Sequence, residues 1–181
     1  MKTTHKSEWR LLPLWVAVWL FGTMVSAQAG DKWMVQINGQ TISAWRTADL
    51  DSAKQQAAKE HKPIAWIASS PDLLNDGRIS SNGSRGATLH AFYALRSDTV
   101  LVFEDGFAEN HKVLPLVDNA MRTKDGQYIE HLTLPVVVFL NPSATVVLAK
   151  VDCEPDFVKR AHLLADALKQ AKAKVDYAAP Q

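Results

Sequence analysis

The sequence predicts an α/β fold in which a central mixed β-sheet is flanked by helices. Three observations carry that expectation. Short, nearly unbroken apolar runs at residues 63–68, 99–103 and 135–140 are bounded by breakers, the pattern of strands buried on both faces. Segments of helix-forming composition separate these runs, so strands and helices alternate along the chain. The third run is followed by the turn residues Asn141-Pro142-Ser143-Ala144 and a further apolar run, Thr145–Ala149. That makes a hairpin, so the sheet is not wholly parallel.

The elements follow in order. Lys2, Lys6 and Arg10 precede an uncharged segment, Leu11–Val25, and then Ala27-Gln28-Ala29. A basic start, an apolar middle and small residues two apart match a secretory signal peptide over residues 1–29, cut before Gly30. The apolar run is shorter than the roughly 20 residues that span a bilayer. Trp33–Ile37 suits a strand and Asn38-Gly39 a turn, within an N-terminal extension of residues 30–44. Thr47 or Asp49 is placed to cap a helix that runs to Glu60 and stops at His61-Lys62-Pro63, because the residue before a proline avoids the helical region. The strand at 63–68 leads into residues 69–86, where Ser, Asn, Gly and Pro dominate and a long loop is expected. A helix over 87–96, the strand at 99–103, a helix over 108–119 interrupted by Pro115 and a turn at 124–127 come next. After the hairpin, a helix over 155–173 carries an apolar face at Leu163, Leu164, Ala167 and Leu168. Asp152 or Glu154 serves its N-terminus, with Pro155 at its first position. Residues 174–181 read as a disordered tail.

Charge and cysteine content narrow the function. Removing residues 1–29 takes Lys2, Lys6, Arg10 and Glu8 from 20 basic and 19 acidic residues, leaving 17 and 18. A nearly neutral domain has no electrostatic footprint for nucleic acid and no basic patch for anionic lipid. The expected compartment is the periplasm or the exterior, and no membrane association is expected once the signal is removed. The chain has one cysteine, Cys153, so an internal disulfide is excluded and stability rests on the core.

At Lys62-Pro63-Ile64-Ala65-Trp66-Ile67-Ala68-Ser69, with Ala58 four residues before Lys62, the chain resembles the strand that leads into a thioredoxin active site. The segment His131-Leu132-Thr133-Leu134-Pro135-Val136-Val137-Val138-Phe139-Leu140 resembles the later strand of that family, which a cis proline opens. The likeness covers residues 45–173 and implies a thioredoxin-like three-layer sandwich. The departure is as clear. Ser69, Ser70, Pro71, Asp72 and Leu74 fall where the resemblance implies the dithiol loop, and no cysteine lies between residues 30 and 152. Dithiol exchange needs an attacking thiolate and a resolving partner, so this loop is a degenerate active site.

The candidate sites are few. The resemblance implies that Thr133, Leu134 and a cis Pro135 form an extended edge for a peptide strand. The alternative is a purely structural bend. Cys153 is the weak catalytic candidate: a single thiol near a helix N-terminus that forms mixed disulfides or links two copies, opposed by the acids Asp152, Glu154 and Asp156, which disfavour a thiolate. Glu104, Asp105, Glu109 and His111 lie close in sequence but have no ligand spacing, so no metal and no cofactor is expected. Gly83-Ser84-Arg85-Gly86 is one residue short of a nucleophile elbow and follows no strand. Arg78 and Arg85 are the strong donors of the 69–86 loop. The expectation is an exported, redox-inactive protein that binds a protein or peptide partner in the cell envelope. The alternatives are a single-thiol oxidoreductase, or its accessory, working through Cys153, and a scaffold component of an envelope complex.

Overall fold

A computed structural model describes residues 32–37, 39–69, 84–104, 114–122 and 135–177. The strands are β1 (Lys32–Ile37), β2 (Gln40–Arg46), β3 (Ile64–Ala68), β4 (Val100–Glu104), β5 (Val136–Leu140) and β6 (Val147–Val151). The helices are α1 (Leu50–Glu60), α2 (Ser84–Leu95), α3 (Pro115–Ala120) and α4 (Phe157–Tyr177). The class is α/β, with a mixed sheet ordered β1-β2-β4-β3-β5-β6. β2, β4 and β3 run parallel, while β1, β5 and β6 each pair antiparallel with their neighbours.

Alternation along the strands divides the core in two. Ile64, Trp66, Val100, Val102, Val136 and Val138 face α1 and α3, where Ala53, Ala57, Val117 and Met121 meet them. The intervening Ala65, Ile67, Leu101, Phe103, Val137 and Phe139 face α2 and α4, against Phe92, Leu95, Leu164 and Ala171. Every residue of β3, β4 and β5 is buried, which explains their continuous apolar sequences. Among the described residues no helix is long and apolar enough to cross a membrane.

Several elements differ from the sequence reading, each for a local reason. β2 lies where only an extension is expected. Gly39 turns the chain at φ 75°, and Ile42 and Ala44 alternate inward, so residues 32–46 form a hairpin. Pro115 starts α3, where a first-turn proline lacks only an N–H that has no partner there anyway, and residues 108–113 of the expected helix lie outside the described residues. α2 begins at Ser84, inside the expected loop. α4 starts at Phe157, not Pro155. Asp156 accepts the Lys159 N–H at 2.7 Å and so caps it, in place of Asp152 or Glu154. Residues 174–177 continue this helix rather than joining a tail. Its buried stripe is Arg160, Leu164, Ala167, Ala171 and Val175, and Leu163 is 40% exposed.

α1 ends as expected at His61, which takes a left-handed conformation (φ 51°) while Lys62 N–H bonds the Ala57 carbonyl at 3.0 Å. The three described tryptophans sit on β1, β2 and β3. Trp33 meets Phe103 edge-on at 5.6 Å, Trp45 donates to Gln56 at 2.7 Å, and Trp66 is buried in β3.

Candidate functional site

The strand registers gather four chain ends at one end of the sheet. Ala68 lies opposite Glu104 and Val136, and Val137 lies opposite Val151. β3, β4 and β6 therefore finish where β5 starts. Ser69, Pro135, Asp152 and Cys153 emerge together there.

The middle of this end is closed by buried polar pairs. Ser69 donates its backbone N–H to the Glu104 carbonyl at 3.2 Å, and its hydroxyl lies 2.7 Å from that of Thr88 on α2. The Trp66 indole donates to the Glu104 carboxylate at 2.6 Å, and Glu104 is 4% exposed. A carboxylate so placed is stabilised only by such donors. Ser69 thus joins β3 to α2 and has its hydroxyl engaged inside the protein. Pro135 is buried immediately before β5.

The side of this end, where β6 hands over to α4, is more open. Cys153 is half-buried. It lines a cleft of about 470 Å³ with the adjoining residues of β6 and one face of α4. Glu154 pairs with Lys159 at 2.6 Å and accepts the Asp156 N–H at 3.0 Å. The bond from Lys159, then that from Asp156, hold the Glu154 carboxyl below its ordinary range, and the same pair raises Lys159.

Beneath this corner, Arg160 is 97% buried. Its Nη1 donates to the carbonyls of Glu154 (2.6 Å) and Pro155 (3.1 Å), and its Nε donates to His90 Nδ1 on α2 (3.1 Å). Phe157 stacks on His90 with ring centroids 4.4 Å apart. An arginine cannot accept a hydrogen bond, so His90 Nδ1 carries no proton in this arrangement. Burial, then the Arg160 charge, lower the His90 pKa from 6.5.

The expected sites are therefore only partly in view. Ser70, Pro71, Asp72, Leu74, Arg78, Thr133 and Leu134 lie outside the described residues, as do the signal segment 1–29 and the Leu134–Pro135 bond. So do Asp105, Glu109 and His111, and Glu104 is bound to Trp66. Among the described residues no three His, Cys, Asp or Glu side chains cluster to hold a metal. Ser84 is the first residue of α2. Sequence reasoning missed the Arg160–His90 link. Its signal was a basic residue four before Leu164, on the apolar stripe of α4. Glu104 carried a similar signal, as a charge ending a fully buried strand. The chain matches no protein-family model, no curated protein and no solved structure.

Proposed function

We propose that the chain is an exported, redox-inactive thioredoxin-like protein of the cell envelope that binds a protein or peptide partner. The fold part of this reading is supported by the sheet order, by Lys62-Pro63 opening β3 and by Pro135 preceding β5. The observation that carries the functional part is the position of the one thiol. Cys153 follows β6, and β5 separates β6 from β3, whose end the resemblance makes the place for dithiol chemistry. At that end Ser69 is bonded to Thr88 instead. A single thiol without a resolving partner does not catalyse dithiol exchange, so the fold is left to bind rather than to reduce. Thr133, Leu134 and Pro135 are the proposed peptide contact, and residues 1–29 the export signal.

The test uses residues 30–181, wild type and Cys153→Ser, without reductant. No acceleration of insulin reduction by dithiothreitol and an envelope partner retained by both forms are expected. Catalysed insulin reduction would overturn the reading.

A second reading is favoured by Cys153 lining the 470 Å³ cleft: a single-thiol oxidoreductase, or its accessory, or a disulfide between two copies. A partner, or a second copy, captured only by the wild type and released by reductant would establish it.

A further inference from the structure

β6 ends the sheet. One wall of the cleft beside it is the continuous stretch Ala149 to Glu154, and the other is Leu163, Asp166, Ala167 and Gln170 of α4. Those four are spaced i, i+3, i+4 and i+7, so they form one stripe along the helix. Ala167 also belongs to the core, but Leu163 is 40% exposed, and Asp166 and Gln170 are exposed. The stripe is thus an apolar and acidic face turned toward a strand margin.

The charges have one sign in excess. Asp152, Glu154 and Asp166 line the cleft against Lys150 alone. Lys150 pairs with Asp152 at 2.9 Å, and Lys159, from outside the lining, pairs with Glu154. Among the described residues Asp166 makes no ion pair. A terminal strand offers unsatisfied backbone donors and acceptors to an added strand, whose side chains alternate between faces. At the start of β6, Lys174 donates to the Leu148 carbonyl, and beyond its end Arg160 donates to the Glu154 carbonyl, so among the described residues Ala149 to Val151 is the stretch of β6 left without such side-chain cover.

We propose that this cleft binds an extended segment of a partner protein as an added strand on β6, with a basic side chain against Asp166 and an apolar one against Leu163. The proposal rests on the partner-binding reading above and adds to the contact at the start of β5 a second one, on the far side of β6. Strand addition supplies affinity through the backbone, and the helix stripe supplies selectivity.

Two probes test it: a short peptide alternating valine with lysine, and its counterpart alternating valine with glutamate. Each is titrated into isotope-labelled protein of residues 30–181 while the backbone amides are followed by NMR. The lysine peptide should shift amides of Ala149–Glu154 and of the Leu163–Gln170 stripe, and slow hydrogen exchange in β6. The glutamate peptide should bind roughly tenfold more weakly. Asp166→Lys should reverse the preference, and Leu163→Glu should weaken both peptides. Both positions are exposed, so an otherwise unchanged spectrum certifies the fold. Equal binding of the two peptides, indifference to Asp166→Lys, or no shift along β6 would overturn the proposal. Shifts confined to Val136 and the rest of the start of β5 would also overturn it, while leaving the partner-binding reading standing. Loss of the envelope partner in the pull-down would strike that reading alone.

Discussion

Where the central strands β3 and β4 end, the buried polar side chains are few and hydrogen-bonded inside the protein. At the corner where β6 meets α4 they are many, and they reach toward solvent. Trp66 bonds Glu104, and Ser69 bonds Thr88, where β3 and β4 end against α2. At the corner, Glu154, Asp156 and Lys159 make a partly exposed network over a buried Arg160, whose Nη2 has no hydrogen-bond partner among the described residues. The difference teaches where to look for each property. The centre sets stability, because its groups have no water to fall back on. The corner tolerates change, so it is free to carry recognition.

Substitutions ranked by size sharpen this contrast. Phe139→Ala empties a site with no exposure in β5 and should cost about 3–5 kcal/mol in denaturant unfolding. Trp66→Phe keeps most of the volume but removes a donor from the Glu104 carboxylate, and a loss of about 1–3 kcal/mol is expected by the same measurement. A loss below that range would mean the centre is less dependent on its internal pairs than the contrast requires.

The corner should show itself in pH rather than in size. His90 has a lowered pKa in the folded protein, so below 6.5 the unfolded chain binds the proton more readily. Its contribution is complete above 6.5 and is lost as pH falls from there through the folded value. Stability measured from neutral pH downward should fall less steeply in His90→Asn than in the wild type. Identical slopes would remove the Arg160–His90 link as a pH-dependent tie. The smallest effect belongs to Leu163→Ser, which should change stability by no more than about 0.5 kcal/mol.

How much of this was legible in the sequence follows from the same contrast. β3, β4 and β5 were readable because burial on both faces leaves an unbroken apolar run. β2 was readable in principle, since Asn38-Gly39 followed by inward Ile42 and Ala44 is a hairpin pattern, but a half-exposed strand of mixed composition is easily taken for a connection. Pro115 misled because the same residue breaks a helix interior and opens a helix start. The site was less legible. The Trp66–Glu104 bond spans 38 residues and exists only because β3 and β4 lie side by side. The Arg160–His90 bond spans 70 and depends on α2 and α4 sharing a face. Leu163 and Leu164 are adjacent in sequence, yet one faces the cleft and the other the core. Neighbours on a helix differ by about 100° in direction, and sequence alone does not say which of the two the core takes.

The placement of the tryptophans has an optical consequence. Trp33, Trp45 and Trp66 all lie on β1, β2 and β3, and none lies on β6 or α4. In residues 30–181, without Trp9, Trp15 and Trp19, intrinsic fluorescence therefore watches one half of the sheet, while the 21 residues of α4 weigh heavily in far-ultraviolet circular dichroism. Melting curves recorded by the two signals coincide if the whole domain unfolds in one step. If the corner opens first, the dichroism leads the fluorescence, and the gap between the curves measures how independently the binding margin moves.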